Sequence, residues 1–276
     1  MSADKKQSFL VRRPLLAFFV LSYLFFWVAL GVFGAVVIGV LHLDPNNQPG
    51  LLVLIRIFGS WMPSLAVAIV IGAEEGREAV TRLFAKFFHF RFPLRWYLAS
   101  LIPAGLTVLT VLAYRLTGGL PEGGVPLTAG FWVSLFLVMF LTGATGEEPG
   151  WRGFALPRLL ERFSPLKAGL LLGLAWNFWH LPLWFTTGSS GTTLLYYILF
   201  HTVGIVSLGM VMVWIYLRVP DSLVPMFLAH FTFNFGITLV GPTGLGLGAS
   251  LPLMGWLAGL LLLTALIIWA FKGFEQ

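Results

Sequence analysis

The chain has 276 residues, of which 58% are hydrophobic and 10% charged, with no cysteine and a formal net charge of +6. A soluble domain carries about a quarter charged residues. This composition therefore excludes an ordinary water-soluble domain and predicts an all-α, polytopic membrane protein. The lack of cysteine excludes a disulfide framework, a thiol nucleophile and a thiolate metal site.

From the N-terminus, a polar arm over residues 1–13 carries Lys5, Lys6, Arg12 and Arg13 ahead of an apolar run from Leu15 to Leu43. That run is too long for a signal-peptide core and is expected to be a retained span. Further apolar runs follow at about 51–72, 96–117, 129–148, 166–186, 194–217, 222–240 and 251–271. Each is close to the ~20 residues that cross a bilayer, so about eight transmembrane helices are predicted, with both termini on one side. They form a single membrane domain over 14–276.

All Lys and Arg except Arg56 and Arg115 lie in the N-terminal arm, in 73–95, in 149–167, at Arg218 or at Lys272. By the positive-inside rule these segments and both termini are cytoplasmic, which in a prokaryote means the plasma membrane. The positive charge is thus a topology signal directed at lipid headgroups, and it excludes nucleic acid as the partner. Within Glu74–Arg95, Leu83, Phe84, Phe87 and Phe88 recur at helical spacing, which predicts an amphipathic helix on the inner leaflet. The pairs Gly169/Gly173 and Gly255/Gly259 are expected to serve close helix packing.

Against this apolar background stands Gly146-Glu147-Glu148-Pro149-Gly150-Trp151-Arg152. An ionised carboxylate is costly in hydrocarbon, so intramembrane acids face a partner, a water-filled cavity or a reaction. Pro149 disfavours helix at Glu148 and suits a first helical turn, which predicts a break at Glu148 and a new helix from near Pro149.

Chain lengths bring other polar groups to the same depth. Glu148 lies 16 residues before Ser164 and His180 lies 15 after Pro165, where a cytoplasmic turn is expected. Antiparallel helices from that turn would carry both to roughly 22 Å depth at 1.5 Å per residue. His230 and Asn234 lie 10 and 14 residues beyond Pro220, on one helix face. Glu147, Glu148, His180, His230 and Asn234 are thereby expected at one level, with Arg152–Arg162 lining an approach from the cytoplasm. Taken singly, His180 could serve a carbonyl freed by Pro182, and His230 could pair with Asn234. His201, whose one polar neighbour at helical spacing is Thr202, is expected to be structural.

Glu, Glu, Arg, His, His and Asn suit peptide hydrolysis by an activated water. A glutamate takes a proton from water beside an imidazole, and a second imidazole and an amide donate to the oxyanion. Arg152 would orient Glu148. The alternative is a metal, since Glu147, His180 and His230 could hold zinc with one position open; no H-E-x-x-H helix decides between them.

Taken in order, Glu147-Glu148-x-x-x-Arg152, the segment ending His180-Leu181-Pro182-Leu183, and His230-x-x-x-Asn234 resemble the three motifs of the CAAX-protease and bacteriocin-processing enzymes, the Abi or CPBP intramembrane proteases. The likeness runs from about residue 77 to about 240. It implies an eight-helix fold with a cavity open to the cytoplasm, Glu147 acting with His180 on water, and His230 with Asn234 at the oxyanion. It also implies a membrane-associated or lipidated peptide as substrate, with metal use open. The family often has Phe four residues before the second-motif histidine, where this chain has Trp176; both are aromatic and are expected to form part of the pocket wall.

Two other classes are set against this reading. A rhomboid-like serine protease would use Gly188-Ser189-Ser190-Gly191, which falls in an outer loop away from both histidines. A non-catalytic bacteriocin-immunity or transporter-like protein would use the acids and imidazoles as a scaffold or relay, and a transporter would more typically show repeated halves.

Overall fold

The computed structural model describes residues 8–42, 49–116, 128–240 and 247–275, and no strand occurs among them. The principal helices are α1 (Pro14–Gly34, continued by a π-helical stretch Ala35–Val40), α2 (Pro49–Ser60), α3 (Met62–Glu74), α4 (Arg77–Ala85), α5 (Leu94–Ser100) and α6 (Ile102–Leu116). They continue with α7 (Ala129–Leu141), α8 (Ala144–Gly150), α9 (Pro165–Trp179), α10 (Leu181–Trp184), α11 (Gly191–Tyr216), α12 (Val224–Val240) and α13 (Leu247–Ala270). A π-helical stretch Trp151–Ala155 and a short helix Leu156–Leu160 carry α8 onward to the turn before α9. Prolines stand at the first turns of α1, α3, α9 and α10, where the missing N–H is no loss.

Five helices among the described residues are long and apolar enough to cross a membrane, and six if α5 and α6, bent by 41°, form one broken span. The expected count of eight is not reached on this measure. Of the remaining two expected spans, α9 has 15 residues and α12 has 17. The chain is nonetheless a multi-pass, all-α membrane protein.

The segments rich in Lys and Arg are stitched together at one end of the bundle. Arg158 bridges Glu74 at 2.8 Å and Glu75 at 3.2 Å. Lys86 donates to the Pro220 carbonyl, the Leu223 N–H to the Lys86 carbonyl, the Ser222 hydroxyl to the His89 carbonyl, and Arg218 to the Gly273 carbonyl. This end is called the basic face below. The amphipathic helix expected over Glu74–Arg95 is shorter: α4 and a 3₁₀ turn Lys86–Phe88 make it, with Ala79 and Leu83 buried and Phe88 exposed. The acids at its start are engaged by Arg158 instead.

α11 packs chiefly against α13 and α9. Small residues allow this, as expected for three of the four glycines. A Cβ on Gly169 would lie 2.7 Å from Met210 Sδ, one on Gly173 3.2 Å from the Val206 Cα, and one on Gly255 3.1 Å from the Phe200 ring. Gly259 meets nothing within 4 Å and does not share that role.

Candidate active site

The break that organises the site lies at Thr142–Gly143, not at Glu148. Thr142 is extended and Gly143 takes φ +62°, a conformation that costs a glycine little and other residues more. A Cβ there would also stand 2.5 Å from the Asn234 amide nitrogen and 3.5 Å from His230 Nε2. The backbone turns where it does because α12 abuts it. α8 then starts at Ala144, with the Gly146 and Glu147 N–H groups donating to the Gly143 carbonyl. Pro149 is absorbed inside the helix, just ahead of the π-helical stretch. Glu147 therefore sits in the first turn, among N–H groups that favour negative charge.

Two close contacts fix α8 against α2 and α3. The Ser64 hydroxyl donates to the Gly146 carbonyl at 2.7 Å, and a Cβ on Gly146 would lie 2.5 Å from the Ser60 carbonyl oxygen. No larger residue fits at that position without displacing backbone.

The paired acids have separate surroundings. Glu148 is fully buried, and its Oε1 accepts from Arg152 Nη1 at 3.1 Å and from His230 Nδ1 at 2.7 Å. The Arg152–Glu148 contact expected from the i, i+4 spacing is thus present, and His230 engages Glu148 rather than Asn234. Glu148 Oε2 and Arg152 Nε and Nη2 are buried with no hydrogen-bond partner. A pair so incompletely satisfied is weak support for stability but fixes geometry. Glu147 instead borders a cavity, and its Oε2 accepts from the Trp176 indole N–H at 2.7 Å. The same indole lies under the Arg152 guanidinium, whose Cζ is 4.2 Å from the ring centroid.

The cavity has a volume of about 440 Å³ and is lined by Glu147, Trp176, His180, His201, His230 and Asn234 together with Thr107 and Thr110 of α6 and mainly apolar residues of α11, α12 and α13. The depth matching therefore holds for Glu147, His180, His230 and Asn234, which meet around one space, while Glu148 and Arg152 lie behind it. The expected approach along Arg152–Arg162 is not formed: no residue of that stretch lines the cavity, Arg152 has no exposed surface, and Arg158 is held by Glu74 and Glu75.

Both motif imidazoles have their tautomer set. His180 Nδ1 faces the Trp176 carbonyl at 2.9 Å and His230 Nδ1 faces the Glu148 carboxylate. Each acceptor can only receive, so Nδ1 carries the proton and Nε2 is the remaining ring nitrogen. Such an arrangement is usual for metal-ligating histidines. Among the described residues, however, no three His, Asp or Glu side chains are grouped so as to hold a metal ion. The candidate set Glu147, His180 and His230 is not among such groups.

Sequence reasoning missed two participants. Trp176 is read from sequence as an aromatic wall residue, but its N–H is the donor to Glu147. His201 lines the cavity with its ring 5.4 Å from that of His180, and its Nδ1 donates to Asn177 Oδ1 at 2.9 Å. Asn177 in turn donates to the Thr202 hydroxyl at 3.0 Å. The signal was the adjacency His201-Thr202 together with Asn177 three residues before His180.

Residues 129–236 match the Rce1-like family, described as type II CAAX prenyl endopeptidases. That interval contains every motif residue named above. The chain is thus similar, over its motif-bearing part, to CAAX-processing endopeptidases. It is also 27% identical over 212 residues to CAAX prenyl protease 2 of Methanococcus maripaludis, across 72% of this chain and 76% of that one. Its spans, its site and these likenesses support an intramembrane endopeptidase, a hydrolase of peptide bonds. The reading as an immunity protein or transporter is not favoured by these likenesses.

Proposed function

We propose that Glu147 is the general base of a water-mediated peptide hydrolysis. A water beside Glu147 Oε1 gives up a proton to the carboxylate while its oxygen bonds to the scissile carbonyl carbon. The C–N bond then breaks as Glu147 returns the proton to the leaving amine. His180 shares the water through Nε2. His230 and Asn234 stand at the developing oxyanion, His230 donating through a protonated Nε2 while Glu148 and Arg152 hold its ring. The support for this reading is the division of labour between the two acids: one faces the cavity with a free oxygen, the other is sealed behind it on Arg152 and His230.

The substrate in this reading is a membrane-associated or lipidated peptide, and the relatives' names point to a prenylated CAAX terminus. The mainly apolar cavity wall supports a peptide with apolar side chains or a lipid. The charge distribution supports cytoplasmic termini and contact of the basic face with lipid headgroups, and the continuous helix packing supports one membrane domain over 14–276 behind a short arm.

The decisive experiment compares wild type and Glu147→Gln in proteoliposomes, using a farnesylated CAAX peptide and an unprenylated membrane-tethered peptide. Cleavage is expected to vanish with Glu147→Gln while folding, read by monodispersity and thermal unfolding, is kept. Full cleavage by Glu147→Gln would remove Glu147 as the base.

A further inference from the structure

His201 stands in the cavity wall but belongs to none of the three motifs. It is carried by α11, and its ring lies 5.4 Å from that of His180, at 68° to it. Two aromatic neighbours confine it, Trp184 of α10 at 5.9 Å and Tyr197, one turn earlier on α11, at 5.7 Å.

Hydrogen bonds orient the same ring. Asn177 of α9 is 1% exposed and uses both ends of its amide, the nitrogen donating to the Thr202 hydroxyl and Oδ1 accepting from His201 Nδ1. A carboxamide oxygen can only accept, so Nδ1 carries the ring proton and Nε2 holds a lone pair. Nε2 has no hydrogen-bond partner among the described residues, yet it is not one of the fully buried unpartnered atoms. It therefore reaches open space, and the open space beside His201 is the cavity. A tie between α9 and α11 would need Nδ1 alone.

The threonines of this wall behave differently. The Thr107, Thr110 and Thr238 hydroxyls donate to the Pro103, Leu106 and Asn234 carbonyls of their own helices. His201 instead offers the cavity an acceptor whose direction a neighbouring helix fixes. A neutral acceptor in a mainly apolar wall suits a ligand N–H, which would otherwise be buried there unpaired. A peptide carries such groups whatever its side chains, about 3.3 Å apart along an extended chain. A ring 5.4 Å from His180 is placed for an amide close to the bond being cut.

We infer that His201 is a substrate-recognition residue, its Nε2 accepting a backbone N–H of the bound peptide at a bond that flanks the scissile one. This deepens the peptidase reading and rests on it for the position of the scissile bond. The peptide's register is then held through its main chain, and the apolar walls are left to its side chains or lipid.

The test removes the N–H as well as the histidine. In farnesylated CAAX peptides the amide on either side of the scissile bond is changed, one at a time, to an ester, which replaces N–H by oxygen and keeps the carbonyl. Cleavage at the scissile amide is followed by mass spectrometry in proteoliposomes. Wild type is compared with His201→Phe, which keeps the ring packing and removes both nitrogens; His201→Leu takes its place should that variant not fold. One of the two esters is expected to lower the wild-type kcat/KM about 10-fold, the effect of one lost hydrogen bond. His201→Phe should lose about as much with the parent peptide and nothing further with that ester. No loss from either ester in wild type, losses that multiply in the variant, or a variant equal to wild type on the parent peptide would each overturn the inference. Binding of the same peptides to Glu147→Gln, with and without His201→Phe, repeats the comparison as Kd without turnover. Coupled losses in Kd alongside cleavage by Glu147→Gln would sink the general-base reading and keep this inference. Multiplying losses with cleavage abolished would do the reverse, and a peptide that wild type neither binds nor cleaves would remove both.

Discussion

The half of the bundle next to the basic face and the half around the cavity are built from the same helices under different rules. In the first half, α11 buries nearly every residue from Gly204 to Tyr216, and Phe18, Trp151 and Phe154 interlock, with Phe18 and Trp151 rings 5.3 Å apart at 81°. In the second, Leu195 and Leu199 of the same α11 are 63% and 49% exposed on its outer side, while Tyr197 and Phe200 border the cavity. Lipid tails are as apolar as leucine, so burial of apolar surface does not drive helices together here; packing contacts and polar links do. The difference teaches that this protein concentrates its close packing around the Glu148–Arg152 pair, while the neighbouring reacting acid, itself buried, borders the space left unfilled.

Substitutions that treat the halves unequally test that contrast. The largest effect is expected from Glu148→Ala, which leaves Arg152 buried without its counter-charge. A loss of about 3–5 kcal/mol is expected, read as a collapse of the thermal unfolding midpoint in detergent, whereas His180→Ala at the cavity should remove activity with the midpoint nearly unchanged. Equal midpoints for the two would break the comparison. Next come Leu208→Ala and Leu199→Ala on one helix. The buried site should lose about 2 kcal/mol or more through the cavity created, and the lipid-facing site should stay within about 0.5 kcal/mol.

Trp176→Phe is a finer cut. It keeps the aromatic wall and removes the N–H to Glu147, leaving a buried carboxylate oxygen without its donor, at about 1–3 kcal/mol. The expected reading is a fall in kcat by roughly 10-fold or more at unchanged KM, one factor of ten per 1.4 kcal/mol. An unchanged kcat would show that Glu147 does not need its indole partner. The smallest effect is Ser190→Ala: Ser190 precedes α11 and lines no part of the cavity, so activity and stability should both be unaltered. Loss of activity there would revive the serine-protease alternative.

The sequence made legible what depends on composition and on counting along helices. The all-α membrane class, the side-by-side arrival of Glu147, His180, His230 and Asn234, and the Arg152–Glu148 pair all follow from run lengths and i, i+4 spacing. What depends on contacts between distant segments was hidden. Pro149 drew attention as the helix breaker, but the helix breaks at Gly143, whose positive φ and closeness to the Asn234 side chain of α12 favour a glycine. Trp176 seemed interchangeable with phenylalanine because its N–H acquires meaning only where α9 faces α8. His201 lacked a partner in its own helix and found Asn177 in another.

One contact joins the two halves. The Arg152 guanidinium rests on one face of the Trp176 indole while the edge of that ring donates to Glu147. A cation over an aromatic face draws electron density toward itself, which strengthens the N–H as a donor. Glu147 thus senses a positive charge through an intervening π-system. A neutral replacement at Arg152 would reach the reacting acid twice, as a weakened hydrogen bond from the indole and as the loss of a nearby positive charge.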